Sequence, residues 1–211
     1  MLTVGISTSS GQFALAIGES NRLLFDSSES GSRSGELDEL LLDGLACCKK
    51  EVGDIGHIIV DTGPGGTSRV RTGVAFANSL AYSLGISVSP VSSMELAGID
   101  AFDQYGLPVV NSVKSIKGNA YIGLFDSHHV SIQYGNIIDV VPVMVYDIDR
   151  FVVVGFHREA IMQIPSLQNK TMTDSGMLFG RVKYLIEKSD YFSMQKFDFP
   201  LYAQPITEKT L

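Results

Sequence analysis

The sequence predicts an α/β protein of two lobes, on three observations. Three short apolar runs separated by turn residues open the chain, helices and strands then alternate through the first half, and the pattern partly recurs from Leu107 onward.

Leu2 to Ile6 and Phe13 to Ile17 are apolar runs divided by Ser7-Thr8-Ser9-Ser10-Gly11, and Arg22 to Phe25 follows Asn21 as a third strand. This spacing is that of an antiparallel meander. A Ser- and Gly-rich connection from Ser27 to Gly35 leads to Leu37, Leu40, Leu41, Leu45 and Cys48 at helical spacings. Glu36, Asp38 and Glu39 stand near the start of that helix and Lys49 and Lys50 near its end, the polarity a helix dipole favours. Ile58-Ile59-Val60 is a compact β-branched strand that runs into Asp61-Thr62-Gly63-Pro64-Gly65-Gly66-Thr67-Ser68. A helix from Arg69 to about Leu84 comes next, capped by Thr67 or Ser68 and ending at Gly85. A strand near Val88 and a helix from about Met94 to Phe102, capped by Ser92 or Ser93, complete the first half.

Beyond the turn residues Gly106-Leu107-Pro108, Val109 to Val113 and Tyr121 to Phe125 are strands around a Lys- and Gly-rich connection. Asp126-Ser127-His128-His129 is a hairpin turn into Val130 to Tyr134, and Phe151 to Val154 is a further strand. A helix from about Gly176 to Glu187 and a last strand around Leu201 to Gln204 close the reading. The lobe boundary is placed at 106, giving an N-terminal lobe of residues 1–106 and a smaller, diverged C-terminal lobe of residues 107–211.

Composition narrows the function. Hydrophobic residues make up 45% of the 211 and charged residues 18%, a balance that supports a buried core and excludes disorder. The net charge is −7, and no run of Lys or Arg exceeds two residues, which argues against autonomous binding to nucleic acid or an anionic membrane. Cys47 and Cys48 are adjacent, so they form neither a disulfide framework nor a C-x-x-C site; small buried hydrophobes are expected. No basic-then-apolar segment opens the chain and no apolar stretch approaches the roughly 20 residues needed to span a bilayer, so a cytoplasmic location is expected.

The glycine loop is the strongest local feature. Gly63, Gly65 and Gly66 leave the backbone bare, and with Thr67 and Ser68 they offer N–H and hydroxyl groups suited to phosphate; a tight strand-to-helix turn explains the same residues. The loop lacks the lysine of G-x-x-x-x-G-K-[ST] and the spacing of G-x-G-x-x-G. On the helix behind it Val70, Val74, Ala77, Ala81 and Leu84 form a seam, and Gly73, Ala77 and Ala81 a row of small residues. That row fits packing on the helix's own sheet or a close helix–helix subunit contact. His57, His128, His129 and His157 show no metal-ligand spacing and are expected at surface or turn positions. No G-x-S-x-G elbow occurs. Asp147 and Asp149 lack the rest of a calcium loop.

Three segments in order carry a resemblance: Val4-Gly5-Ile6-Ser7-Thr8-Ser9, Gly63-Pro64-Gly65-Gly66-Thr67-Ser68-Arg69-Val70-Arg71-Thr72-Gly73-Val74-Ala75, and Val91-Ser92-Ser93-Met94-Glu95-Leu96. The chain resembles the TsaB (YeaZ) family, whose loop usually reads G-P-G-S-F-T-G, and Pro200-Leu201-Tyr202 is similar to that family's tail. The resemblance implies an actin-like (ASKHA, ribonuclease H-like) fold of two lobes with mixed β-sheets flanked by helices. It implies a non-catalytic subunit that binds a TsaD-type catalytic subunit, with a TsaE-type ATPase, in forming N6-threonylcarbamoyladenosine at position 37 of ANN-decoding tRNAs. The partner contact, or a homodimer in its place, would use the first two helices, with Leu37, Leu41, Val70, Gly73, Val74, Ala77 and Ala81 as interface residues. No cofactor or metal is implied, and tRNA would be met only indirectly, with Arg69, Arg71, Lys114 and Lys117 as the residues closest to that role.

Departures bear on catalysis. Where the family usually reads I-D-T-S this chain has Ile6-Ser7-Thr8-Ser9, and its D-A-R-x-G-E-V-Y segment appears as Lys114-Ser115-Ile116-Lys117-Gly118-Asn119-Ala120-Tyr121. With those acids gone, no carboxylate is expected in place to hold a metal or act as base. The competing reading is an ASKHA-type ATPase or small-molecule kinase that uses the glycine loop on phosphate.

Overall fold

The computed structural model describes residues 1–28, 36–115, 118–127 and 129–193. The expected last strand at 201–204, and with it the Pro200-Leu201-Tyr202 tail, lies outside them, as do Lys117 and His128. The chain forms two compact units: Met1–Ser93 joined by the described residues from Val182 onward, and Met94–Arg181.

In the first unit β1 (Leu2–Ser7), β2 (Ala14–Glu19) and β3 (Arg22–Asp26) form the expected meander, and β4 (Ile55–Asp61) and β5 (Val88–Val91) extend it into one sheet of order β3-β2-β1-β4-β5. β1 is central because every one of its residues is buried. It pairs antiparallel with β2 (Val4 opposite Ile17) and parallel with β4 (Ile6 opposite Val60). One sheet face packs under α1 (Leu37–Cys48) and α2 (Thr67–Leu84), which share a core with Val4, Ile6, Leu15, Ile17, Ile58 and Val60. The opposite face is nearly bare of side chains at Gly5 and Gly18, and α6 (Tyr184–Glu187) lies directly on it. A Cβ at Gly5 would sit 2.8 Å from the Leu185 Cβ, and one at Gly18 would strike Ile186. After α6 comes α7 (Ser189–Ser193), where the Asn21 side chain receives the Ser189 hydroxyl at 2.5 Å and the Asp190 N–H at 3.1 Å.

The second unit repeats the plan. β6 (Val109–Lys114), β7 (Ala120–Asp126) and β8 (His129–Gly135) form an antiparallel meander. β9 (Arg150–Gly155) and β10 (Thr171–Asp174) add parallel strands, so the order β10-β9-β6-β7-β8 is that of the first sheet read from the other edge. α4 (Ile137–Met144) and α5 (Arg158–Met162) share a core with Val110, Ile122, Phe151 and Val153. α3 (Ser93–Tyr105) brings Gly98 against Phe125 and Met94 against Gly123, contacts within this unit.

Several expectations change. The boundary set at 106 follows a cluster of turn residues, but those residues only end α3, whose packing groups it with the strands that follow. The helix expected from 176 to 187 is confined to α6. α4 and β10 were not expected, because Pro142 and three valines disguise the former and only four residues make up the latter. Cys47 is exposed and Cys48 half-buried instead of both lying inside. His57, expected at the surface, is buried on β4 with Nε2 3.0 Å from the Ser89 hydroxyl. Among the described residues no helix is long and apolar enough to cross a membrane.

Candidate functional site

The carboxyl ends of β1 and β4 lie side by side, one residue past the Ile6–Val60 pair, and two loops leave there: Ser7-Thr8-Ser9 and the glycine loop. This is where an open α/β sheet usually places a ligand. Asp61, at the end of β4, is fully buried. Its Oδ2 accepts from the Ser7 hydroxyl at 2.8 Å and the Ser9 hydroxyl at 2.5 Å, and its Oδ1 from the Gly63 N–H at 2.9 Å. Burial pushes the Asp61 carboxyl above the usual carboxylate range, against the pull of the hydrogen bonds from Ser9, Gly63 and Ser7.

The loops interlock at close range. Ser9 lies on Gly65, where a Cβ would come within 2.6 Å of the Ser9 Cβ and 2.7 Å of its Cα, so backbone meets backbone. The Gly66 N–H donates to the Ser9 carbonyl at 3.3 Å. Thr8 lies against α2: its hydroxyl donates to the Arg69 carbonyl at 2.9 Å, and a Cβ on Gly73 would meet the same hydroxyl at 2.5 Å. From the other side, the Ser93 hydroxyl donates to the Pro64 carbonyl at 2.6 Å and the Ser93 N–H to the Gly63 carbonyl at 2.9 Å.

The structure thus gathers Gly63, Gly65 and Gly66 around Ser9 and Asp61, with the amides of Gly63 and Gly66 already engaged. Thr67 is half-exposed and Ser68 exposed. The cap expected from Thr67 or Ser68 is absent: α2 starts a residue or two earlier, with Gly66 at the cap position and no side-chain bond there.

The helical seam turns inward. Leu37, Leu41, Val70, Gly73, Val74, Ala77 and Ala81 are all buried, and the six with side chains belong to the first unit's core. A residue covered by its own sheet has no surface to offer a second chain, so their assignment as interface residues is corrected. Gly73 leaves room for the Thr8 side chain, and Ala77 and Ala81 pack into the core beneath α2. The outer sides of the same helices carry Leu42, 59% exposed on α1, and Tyr82, 74% exposed on α2, with Ala75 and Ser79 exposed beside the latter.

Asp61 is the residue that motif reasoning passed over. A carboxylate stands at this corner although the first-loop aspartate is absent: with Ser7 at the end of β1, it arrives from β4. The signal available was the unusual acid closing a β-branched strand directly before the glycines.

At the matching corner of the second unit, Gly155 closes β9 at φ 92°, and Ser112 accepts the Phe156 N–H at its carbonyl and the His157 N–H at its hydroxyl. Among the described residues the buried His157 Nε2 has no hydrogen-bond partner there. Burial first, and the Lys114 charge second, hold the imidazole below its usual range. Among the described residues no group of three or more His, Cys, Asp or Glu is placed to hold a metal ion.

Two five-stranded mixed sheets of one strand order, each flanked by helices, define an actin-like α/β protein. The family described as TsaD, tRNA N6-adenosine threonylcarbamoyltransferase, matches residues 33–180. The chain belongs to that family, and within it the likenesses are to TsaB (YeaZ) proteins. It is 36% identical over 80 residues to the tRNA threonylcarbamoyladenosine biosynthesis protein TsaB of Bacillus subtilis (strain 168), a match covering 37% of this chain and only about a third, 34%, of that relative. In fold it is similar to an uncharacterized protein with similarity to peptidase YeaZ from Pseudomonas aeruginosa, with a TM-score of 0.76, 17% identity, and 96% of this chain and 99% of that one covered. YeaZ from Pseudomonas aeruginosa gives a TM-score of 0.72 at 16% identity, with 94% and 97% covered.

Proposed function

We propose that this chain is a non-catalytic subunit that binds and supports a TsaD-type catalytic subunit, together with a TsaE-type ATPase, in forming N6-threonylcarbamoyladenosine at position 37 of ANN-decoding tRNAs. Family membership supports the pathway. The observation that carries the supporting role is the enclosure of Asp61: the one carboxylate described at the switch corner of the first sheet is fully buried, with its acceptors held by three donors. A group so engaged is out of reach of a substrate proton or a metal.

The contact surface in this reading is the outer side of α1 and α2, where Leu42 and Tyr82 present apolar area, the latter beside the small residues Ala75 and Ser79. A homodimer would use the same surface and compete with the heterodimer. The acidic balance of the chain leaves tRNA contact to the partners. Arg69 agrees with this, since its guanidinium lies 4.5 Å over the Phe13 ring.

The test is co-purification of a TsaD-type subunit with the chain and with its Leu42→Asp and Tyr82→Asp variants. Both variants should fold as stably as the parent and lose the complex. Undiminished complex formation by both would overturn the contact assignment, and saturable magnesium-dependent ATP binding by the isolated chain would overturn the non-catalytic role in favour of the ATPase or kinase reading.

A further inference from the structure

We infer that Asp61 is a positioning residue: through Ser7 and Ser9 it holds the first loop in the one placement that lets the glycine loop and α2 start where they do. The reading stands apart from the proposed function and rests on the connectivity of this corner. Two hydroxyls and one amide, from loops more than fifty residues apart in sequence, converge on the two oxygens of a single carboxylate. Among the described residues no cation shares it; its neighbours are donors only.

An ionised carboxylate is the side chain that takes three such donors, because it accepts at both oxygens and donates at neither. Asparagine keeps one accepting oxygen and turns the other position into a donor, which then faces donors. What the carboxylate fixes is passed on in two steps. Ser9, once tied to Asp61, presents its carbonyl to the Gly66 N–H and lies on Gly65; Thr8, between the two tied serines, reaches the Arg69 carbonyl and fills the notch at Gly73. Asp61 touches neither Gly66 nor Arg69 in this scheme. Its hold on the first turn of α2 runs through the serine turn.

The experiment is amide hydrogen exchange, resolved by residue, on the full chain. Asp61→Ala should speed exchange at Gly66 and through the first turn of α2 by more than tenfold and leave β9 unchanged. Asp61→Asn, the variant to use if the alanine change does not fold, should show a smaller acceleration at the same amides. The Ser7→Ala/Ser9→Ala double variant should reproduce the Asp61 pattern, and adding Asp61→Asn to it should produce little more, because the path has already been cut. Additive effects, or acceleration spread evenly over both units, would overturn the inference.

Discussion

Asp100 and Arg181 are tied at three points: the Arg181 backbone N–H donates to Oδ2 at 2.8 Å, Nε lies 3.0 and 3.1 Å from the two carboxylate oxygens, and Nη2 donates to Oδ1 at 2.6 Å. The carboxylate has no exposed surface, whereas the guanidinium is half in solvent. The two partners should therefore differ on removal. Arg181→Ala leaves a buried charge supported by the residual backbone N–H and the Gln104 amide at 2.7 Å, and is expected to cost about 3 kcal/mol. Asp100→Asn keeps an acceptor for that N–H and is expected to cost about 1.5 kcal/mol. Urea denaturation of both variants checks the order.

Glycine substitutions around the loop junction should separate by what each new Cβ would meet. Gly66→Ala enters open space and is expected to be nearly neutral. Gly73→Ala ought to help by about 1 kcal/mol as a helix-interior change, yet its Cβ meets Thr8, and a net loss of about 1–2 kcal/mol is expected. Gly65→Ala meets the backbone of Ser9, which has no rotamer to yield, and is expected to be the worst of the three. Melting temperatures rank them.

His157 should respond to a neighbour's charge. Its imidazole is held below the usual 6.5, by burial first and by Lys114 second. A depressed folded value means that the stability is fully present above about pH 6.5 and is lost as pH falls below it, because the unfolded chain takes up the proton more readily. Lys114→Ala should raise the His157 titration midpoint, followed by its imidazole NMR signals, and weaken the loss of stability toward acid. An unchanged midpoint would mean that burial alone sets it.

Ala77→Arg should act on folding and not on partner choice. Ala77 has no exposed area and α2 packs on β4 and β1 through this face, so the arginine would bury an unpaired charge at a cost of several kcal/mol. Circular dichroism of the isolated chain should already show the loss, in contrast to Tyr82→Asp, whose effect should await the partner.

Much of the first unit was legible because its signals are local. The runs at Leu2, Phe13 and Arg22 each became a strand, and Leu37, Leu40, Leu41 and Leu45 named the buried side of α1 by spacing alone. The direction in which the α2 seam points was not legible, since a row of small residues fits a sheet, a loop or another helix equally, and only Thr8 at Gly73 and the sheet below decide it. α4 escaped for a different reason: Asn136 caps it by accepting the Ile138 N–H at 3.0 Å, but the valines and Pro142 that follow carry poor helix propensity, and burial of Val141 against the second sheet overrides it. Asp61 escaped because its role depends on partners at Ser7 and Ser9 that only strand pairing brings near.

The return of the chain to its first unit at Val182 carries a consequence for synthesis. Residues 1–93 hold all five strands of that unit's sheet, yet the side marked by Gly5 and Gly18 stays without its lid of Leu185 and Ile186 until Met94–Arg181 has been made. A nascent chain emerging from its amino end would therefore hold all of Met94–Arg181 before the last described residues of its first unit were available. The sheet that is translated first is covered late, and its open side is the surface a chaperone would need to shield meanwhile.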